Sequence, residues 1–287
     1  MIMLYLQEFI FPSLSAEEGF LNDIKRTCYN TYYPFGVLSD KALGTIKFRP
    51  VTVFYGGNGS GKTTMLNIIA EKTGAERDTL YNRSGFFKDY LELCDYRPGF
   101  IKPEQTRCIT SDDVFDFMLN IRTLNEGLDT NRMALFQKYL DARYSRFRMR
   151  TLDDYEEMKK INEARRRTQS QFIRENMMNN VPEHSNGESA FIYFTEKIRE
   201  NGLYFLDEPE NSLSPERQLE LAKFLENSVR FFGCQIVMAT HSPFLLSMKE
   251  ARIYDLDESP VIIKRWTELP NVRAYYDFFM KHGKDFA

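Results

Sequence analysis

The 287-residue sequence predicts an α/β fold in which a mixed, mainly parallel sheet is flanked by helices. Apolar strand-like runs such as 203–206 and 235–239 alternate with segments of helical periodicity. This alternation of strands and helices is typical of parallel sheets. The stretch 111–182 interrupts this alternation, because it has long charged runs, few glycines and apolar residues at helical spacing. We therefore expect a core formed by residues 1–110 and 183–287 and interrupted by a helical insertion.

The composition is that of a globular protein able to bury a core, with 43% hydrophobic and 28% charged residues. The net charge of -3 gives no overall basic character, so any nucleic-acid partner has to be inferred locally. The apolar start, 1–11, lacks the basic region of a signal peptide and is expected to form a strand. No stretch reaches the roughly 18 uninterrupted apolar residues of a membrane helix, so we expect a cytoplasmic protein without a membrane partner. The cysteines, Cys28, Cys94, Cys108 and Cys234, stand far apart and are expected to be buried thiols.

The first fifty residues contain short strand-like runs, such as 4–6 and 45–48, separated by turn residues. These runs predict a small antiparallel β-layer at the N-terminus. The β-branched and aromatic run 51–55 follows and stops at two glycines, after which helical periodicity begins. The sequence therefore predicts a strand, a glycine-rich loop and a helix in direct succession.

That loop, Gly56-Gly57-Asn58-Gly59-Ser60-Gly61-Lys62-Thr63, matches the phosphate-loop pattern G-x-x-x-x-G-K-[ST] at every fixed position. Glycines let the backbone wrap a phosphate, and the N-terminus of the new helix attracts the anion. Lys62 is expected to bind the β- and γ-phosphate oxygens of ATP, and the Thr63 hydroxyl to bind Mg²⁺. The candidate nucleotide-binding residues in this segment are Gly56, Asn58, Gly59, Ser60, Gly61, Lys62, Thr63 and Thr64.

Two adjacent carboxylates, Asp207 and Glu208, follow the apolar strand 203–206. Ligands bind at the carboxyl ends of strands in parallel α/β sheets. Asp207 is expected to hold Mg²⁺ through water, and Glu208 to act as the general base for the water that attacks the γ-phosphate. An Asp-Glu pair alone is as consistent with a solvated turn, but a phosphate loop in the same chain favours the catalytic interpretation.

Two further elements flank this acidic pair. Upstream, Ser185 and the backbone near Gly187 and Glu188 open a helix, and are expected to form a second γ-phosphate site. Downstream, the strand 235–239 is followed by His241, which can hydrogen-bond the γ-phosphate and the attacking water.

In their order and spacing these motifs resemble those of the ABC ATPase superfamily, with 185–188 in the place of its signature. Within it, 183–189, 202–210 and 239–243 look like the small AAA-family ATPases that are related to RecF, SMC and overcoming-lysogenization-defect ATPases. The resemblance implies a P-loop NTPase of ABC type. It also implies that the signature of one subunit completes the ATP site of another, so that a homodimer closes on ATP and reopens after hydrolysis.

The family's Q-loop glutamine, which reports the nucleotide state and is expected to contact the metal, should lie between the first helix and the insertion. Gln105 is the well-placed candidate, with Glu104 as the alternative. Asp255 and Asp257, near the C-terminus, are expected to be solvated residues of a hairpin.

The insertion is locally basic: residues 143–174 contain ten Lys or Arg and five acids. The run Arg165-Arg166-Arg167 can bind nucleic-acid phosphates, although an ordinary solvated helical face is the simpler explanation, because acids are interspersed and aromatic stacking positions are few. The family resemblance implies an ATPase that acts on DNA, or with a partner effector, in repair or defence against phage. The alternative is an ATP-gated regulatory module that binds a protein partner through 111–182. A transporter ATPase subunit is disfavoured by the resemblance.

Overall fold

The computed structural model describes residues 4–24, 28–145 and 186–286, together with single positions between 158 and 173. The chain separates into two compact units. The core unit contains residues 1–115 and 186–287, and the insertion unit contains residues 116–185.

The strands of the core unit are β1 (Leu6–Ile10), β2 (Thr45–Lys47), β3 (Val51–Tyr55), β4 (Asp95–Pro98), β5 (Gln105–Thr110), β6 (Gly202–Asp207), β7 (Gln235–Ala239), β8 (Arg252–Asp255) and β9 (Ile262–Lys264). Its helices are α1 (Leu14–Asp23), α2 (Lys62–Lys72), α3 (Phe87–Leu93), α5 (Asn186–Lys197), α6 (Pro215–Phe231), α7 (Pro243–Leu246) and α8 (Pro270–Lys281). Helix α4 (Ser111–Tyr144) begins in the core unit and continues into the insertion unit.

The main sheet has the strand order β5-β6-β7-β3-β8-β9. Its neighbouring strands are parallel except for β9, which pairs antiparallel with β8. Strands β3, β6 and β7 are buried along their whole length, which explains their nearly continuous apolar sequences. The predicted mixed α/β fold with a mainly parallel sheet is confirmed.

A second, antiparallel sheet has the order β2-β1-β4, which confirms the predicted N-terminal β-layer. Gln235, at the start of β7, joins it to the main sheet. The Gln235 Oε1 atom accepts the N–H groups of Tyr5 and Leu6 at 2.7 and 2.9 Å, and its Nε2 donates to the Leu6 carbonyl at 2.8 Å. This amide is fully buried, so it satisfies backbone groups that no water reaches.

Replacing Gln235 with Ala is expected to lower the free energy of unfolding by about 3 kcal/mol, because buried donors and acceptors of β1 lose their partner. Urea unfolding followed by circular dichroism measures the change. Gln137→Ala, at an exposed position of α4, is the matched control. Equal stability of the two variants would contradict the role of Gln235.

Helix α6 begins at Pro215, and the Ser214 side chain before it accepts the N–H of Arg217. Among the described residues, no helix has the length and apolarity that crossing a membrane requires.

The expectation of buried thiols is correct for three cysteines and wrong for Cys28, which is exposed. Burial raises the pKa of Cys94 and of Cys108 to about 12, so both thiols stay protonated at neutral pH.

Candidate functional site

The predicted phosphate loop connects the end of β3 to the start of α2. Gly59 and Gly61 have φ angles of 81° and 93°, in the left-handed region that glycine adopts without steric cost. At Gly61 a Cβ atom would also lie 2.7 Å from Cδ2 of Leu38. A side chain at this position would therefore displace the loop or its neighbour.

Lys62, the first residue of α2, folds back over this loop. Its Nζ donates hydrogen bonds to the carbonyl oxygens of Gly56 at 2.8 Å and Gly57 at 3.0 Å. Burial lowers the pKa of Lys62, while the nearby carboxylates of Glu208 and Asp207 act in the opposite direction. The loop therefore contains a cation with little solvation, ready to pair with an anion.

Thr63 and Asp207 join the loop to the end of β6. The Thr63 Oγ1 donates to Asp207 Oδ1 at 3.1 Å. Asp207 is the last residue of β6 and lies beside Thr110 of β5 and Ala239 of β7 at the carboxyl edge of the sheet. A hydroxyl and a carboxylate that converge in this way are the oxygen ligands that Mg²⁺ prefers, so the residues present fit this ion.

Burial raises the pKa of Asp207 to about 6, and the neighbouring charge of Glu208 acts in the same direction. A carboxyl group whose pKa is higher in the folded than in the unfolded chain stabilises the fold at acidic pH. This contribution is lost as the pH rises from about 4 to above 6. In the nucleotide-free protein at neutral pH, the ionised Asp207 is therefore destabilising.

Asp207→Asn is expected to raise the free energy of unfolding of the nucleotide-free protein by about 3 kcal/mol at pH 8, because the amide is uncharged. The gain should shrink towards zero near pH 4. Urea unfolding at several pH values measures it, with Asp112→Asn at the exposed start of α4 as a control. A gain independent of pH would show that the carboxylate charge is not its cause.

Glu208 follows β6 in a backbone conformation with φ of 47°, which is uncommon for a residue with a side chain. Its N–H donates to the Ala239 carbonyl at 2.9 Å. Its carboxylate is held at both oxygens: Nε2 of His241 lies 3.2 Å from Oε1, and Nδ2 of Asn211 donates to Oε2 at 3.1 Å. The structure thus brings the predicted base and the predicted histidine together.

A cavity of about 430 Å³ lies between the loop and this carboxylate. It is lined by Val37, Asn58, Gly59, Gly61, Lys62, Thr63, Thr64 and Glu208. The volume is within the usual range of small-ligand sites, roughly 300 to 1,000 Å³. Cationic, hydroxyl and carboxylate groups therefore line one open cleft.

The predicted signature is described in part, because Ser185 lies outside the described residues. Gly187 and Glu188 belong to the first turn of α5, where the Glu188 carboxylate lies 3.4 Å from the Arg217 guanidinium. A Cβ at Gly187 would lie 3.4 Å from the Ser212 carbonyl oxygen. Among the described residues that line the cavity, neither Gly187 nor Glu188 is present.

Gln105 requires a correction. It is the first residue of β5, paired in register with Gly202, and its side chain donates to the Tyr204 hydroxyl. The carboxyl end of β5, beside Asp207, is Thr110, about 16 Å further along the strand at 3.3 Å per residue. Gln105, and Glu104 next to it, therefore lie at the opposite edge of the sheet and do not contact the metal site.

Two residues near the loop were missed or misjudged from sequence. The Tyr33 hydroxyl donates to Thr64 Oγ1 at 3.2 Å. Asp257, predicted to be a solvated hairpin residue, accepts the Gly57 N–H with both carboxylate oxygens, at 2.8 and 2.9 Å. Its neighbour Asp255 is buried and paired with Lys264 at 2.8 Å. No local pattern could signal these contacts, since their partners are up to 200 residues away.

Comparison with known proteins gives one family match. Residues 171–246 match the family described as AAA ATPase domain, a stretch that includes the signature, the acidic pair and His241. The match supports the resemblance of this part of the chain to ATPases. No curated protein sequence matches the chain.

Two solved structures are similar to the chain. One is the Smc head domain with an extended coiled coil bound to the C-terminal domain of ScpA, from Pyrococcus furiosus, with a TM-score of 0.45 and 11% identity over 96% of this chain and 100% of that chain. The other is the dimeric, post-hydrolysis ATP-binding cassette MJ0796 bound to ADP and Pi, with a TM-score of 0.37 and 15% identity over 79% of this chain and 91% of that chain.

Proposed function

We propose that this protein binds ATP together with Mg²⁺ and hydrolyses it to ADP and phosphate. The observation that carries the proposal is the convergence of Lys62, Thr63 and Glu208 on one cavity, with Asp207 hydrogen-bonded to Thr63. A phosphate loop alone supports only nucleotide binding. The buried carboxylate of Asp207, hydrogen-bonded to Thr63, and the carboxylate of Glu208 in the lining of the cavity supply what hydrolysis requires in addition.

The triphosphate is bound by the loop and its lysine. Lys62 exchanges its two carbonyl contacts for β- and γ-phosphate oxygens, and the N–H groups at the start of α2 point at the same anion. Thr63 and Asp207 would hold Mg²⁺, which supplies positive charge to offset the charge that develops on the phosphate oxygens. Asp207 must be ionised for this, which the positive charges of Lys62 and the ion favour.

Glu208 is placed to activate water. Its carboxylate, oriented by Asn211 and His241, accepts a proton from the water molecule as the water oxygen bonds to the γ-phosphorus. The bond from that phosphorus to the β–γ bridging oxygen breaks, and ADP leaves with the electron pair. Glu208 then returns the proton to a phosphate oxygen. His241 donates a hydrogen bond that stabilises the charged transition state.

Phosphate release by the purified chain tests this proposal. We expect release that depends on ATP and stops when Mg²⁺ is removed with EDTA. Glu216→Gln, on the exposed face of α6, should leave the rate unchanged. Binding of ATP without release of phosphate would refute hydrolysis and favour an ATP-gated scaffold.

The active form is proposed to be a homodimer in the cytoplasm. The chain has one phosphate loop, and the described part of its signature lies away from its own cavity. A second copy is the simplest source of a signature for each nucleotide, and ATP then stabilises the closed dimer by mass action.

The basic insertion supports the proposal that this ATPase acts on DNA, either directly or through an effector. The family resemblance supports a role in repair or in defence against phage. Ten cationic residues within 143–174 provide phosphate contacts whose affinity would fall steeply with salt. Duplex DNA should stimulate phosphate release at low salt, and replacing Arg165, Arg166 and Arg167 with Glu should abolish the stimulation. If the stimulation persists, the insertion does not bind DNA and a protein partner becomes the favoured alternative.

A further inference from the structure

The main chain of His241 is held at both of its polar groups by side chains from two other elements. Glu210, in the loop after β6, accepts the N–H groups of His241 and Ser242 at 2.6 and 3.1 Å with Oε1. Asn271, in the first turn of α8, donates from Nδ2 to the His241 carbonyl at 2.9 Å. The backbone of this one residue is therefore fixed from two sides.

Because these contacts involve only the backbone of His241, its imidazole can interact with Glu208 in the candidate active site. Nε2 of His241 lies 3.2 Å from Glu208 Oε1, while Glu210 and Asn271 bind only the backbone. The next residue, Ser242, is held as well, because its Oγ donates to Gln218 Oε1 at 2.7 Å. The segment that presents the imidazole is thus connected to α6, to α8 and to the loop that follows β6.

Two acceptor atoms are buried to make these contacts. Oε2 of Glu210 and Oδ1 of Asn271 have no hydrogen-bond partner among the described residues, and water does not reach them. Each side chain therefore pairs a main-chain group of His241, but also buries one acceptor atom without a partner, which costs folding free energy. Two polar side chains at this cost, both directed at the same peptide, point to a role in positioning.

We propose that Glu210 and Asn271 are positioning residues that set the imidazole of His241 against Glu208 and the γ-phosphate. The inference rests on the proposed hydrolysis and extends it to two residues that touch neither substrate nor metal. A charge-assisted pair of bonds from Glu210 is the stronger restraint, and the single neutral bond from Asn271 is the weaker one. Catalytic groups that shift by about 1 Å lose up to a hundredfold in rate, so loss of a restraint should lower kcat.

Steady-state phosphate release by full-length variants gives the first measurement. We expect kcat to fall about tenfold in Glu210→Ala and about threefold in Asn271→Ala, with ATP affinity within twofold of the wild type. Glu210→Gln keeps an acceptor oxygen of the same reach and should recover most of the rate. Glu216→Ala and Asn227→Ala, both exposed on α6, are matched controls and should behave as the wild type.

A double-mutant cycle separates positioning from general damage to the fold. If Glu210 and Asn271 act through His241, their substitution should cost little further rate in a His241→Ala background. The same loss in both backgrounds would overturn the proposal.

A second measurement does not depend on hydrolysis. The chain has three histidines, so the Cε1–H proton resonance of each can be assigned by single substitutions. Glu210→Ala and Asn271→Ala should shift the His241 resonance, while Glu210→Gln and the two controls should not. An unmoved resonance in both Ala variants would overturn the proposal. A shifted resonance in a protein that releases no phosphate would support the positioning contacts and refute the hydrolytic function.

Discussion

Glu208→Gln is expected to lower kcat for phosphate release about a thousandfold, within the range of rate loss seen when a general base is removed. Glutamine has nearly the same shape and retains an oxygen for the contact with Asn211 or His241, but it accepts no proton at neutral pH. Binding of ATP should change little, since the Lys62 and Thr63 contacts remain.

The same variant should accumulate as a dimer in the presence of ATP and Mg²⁺, because the step that reopens the dimer is blocked. Light scattering should then give about twice the mass of the single 33.8 kDa chain, and removal of ATP should restore the monomer. Glu216→Gln serves as the control for both measurements. A variant that binds ATP and remains a monomer would refute the two-subunit arrangement, and one that hydrolyses ATP normally would refute the role of Glu208.

Lys62→Ala is expected to weaken ATP binding by at least about a hundredfold, or roughly 3 kcal/mol. Lys62 is 5% exposed, and its ammonium group is close to the carboxylates of Asp207 and Glu208. Without it, a triphosphate would face two carboxylates with no compensating charge from this position. Charge-assisted hydrogen bonds in a poorly solvated site contribute more than those at the surface.

Titration calorimetry with ATP and Mg²⁺ measures this affinity. Lys223→Ala, at an exposed position of α6, is the control, and a thermal unfolding scan of each variant checks that the fold is retained. Hydrolysis should be undetectable in Lys62→Ala at ATP concentrations that saturate the wild type. An affinity equal to that of the control would place the phosphates elsewhere.

Much of the candidate site could be predicted because its residues follow strand ends in short motifs. The phosphate loop lies between β3 and α2, Asp207 ends β6, and His241 follows β7. The carboxyl ends of parallel strands meet at one edge of a sheet, so these motifs converge without any knowledge of the loops between them.

Gln105 shows where this reasoning failed. The family resemblance predicted a glutamine between the first helix and the insertion, but whether that glutamine begins or ends a strand depends on how the strand pairs with its neighbour. The pairing of Gln105 with Gly202 and of Thr110 with Asp207 puts the glutamine at the amino edge. Register is set by which face of the strand is buried, and β5, with partial burial at its first three residues, carries a weak pattern.

The amino-acid sequence by itself determined the α/β class, the phosphate loop and the acidic pair, because these depend on local periodicity and on fixed spacing within a few residues. The tertiary structure decided the contacts of Gln235, Asp257, Glu210 and Asn271, whose partners come from other elements of the fold. A hydrogen bond between distant segments produces no periodic pattern in the sequence of either segment. Such partners become visible only when the packing of β1, α8 and the loops has set which polar groups are buried together.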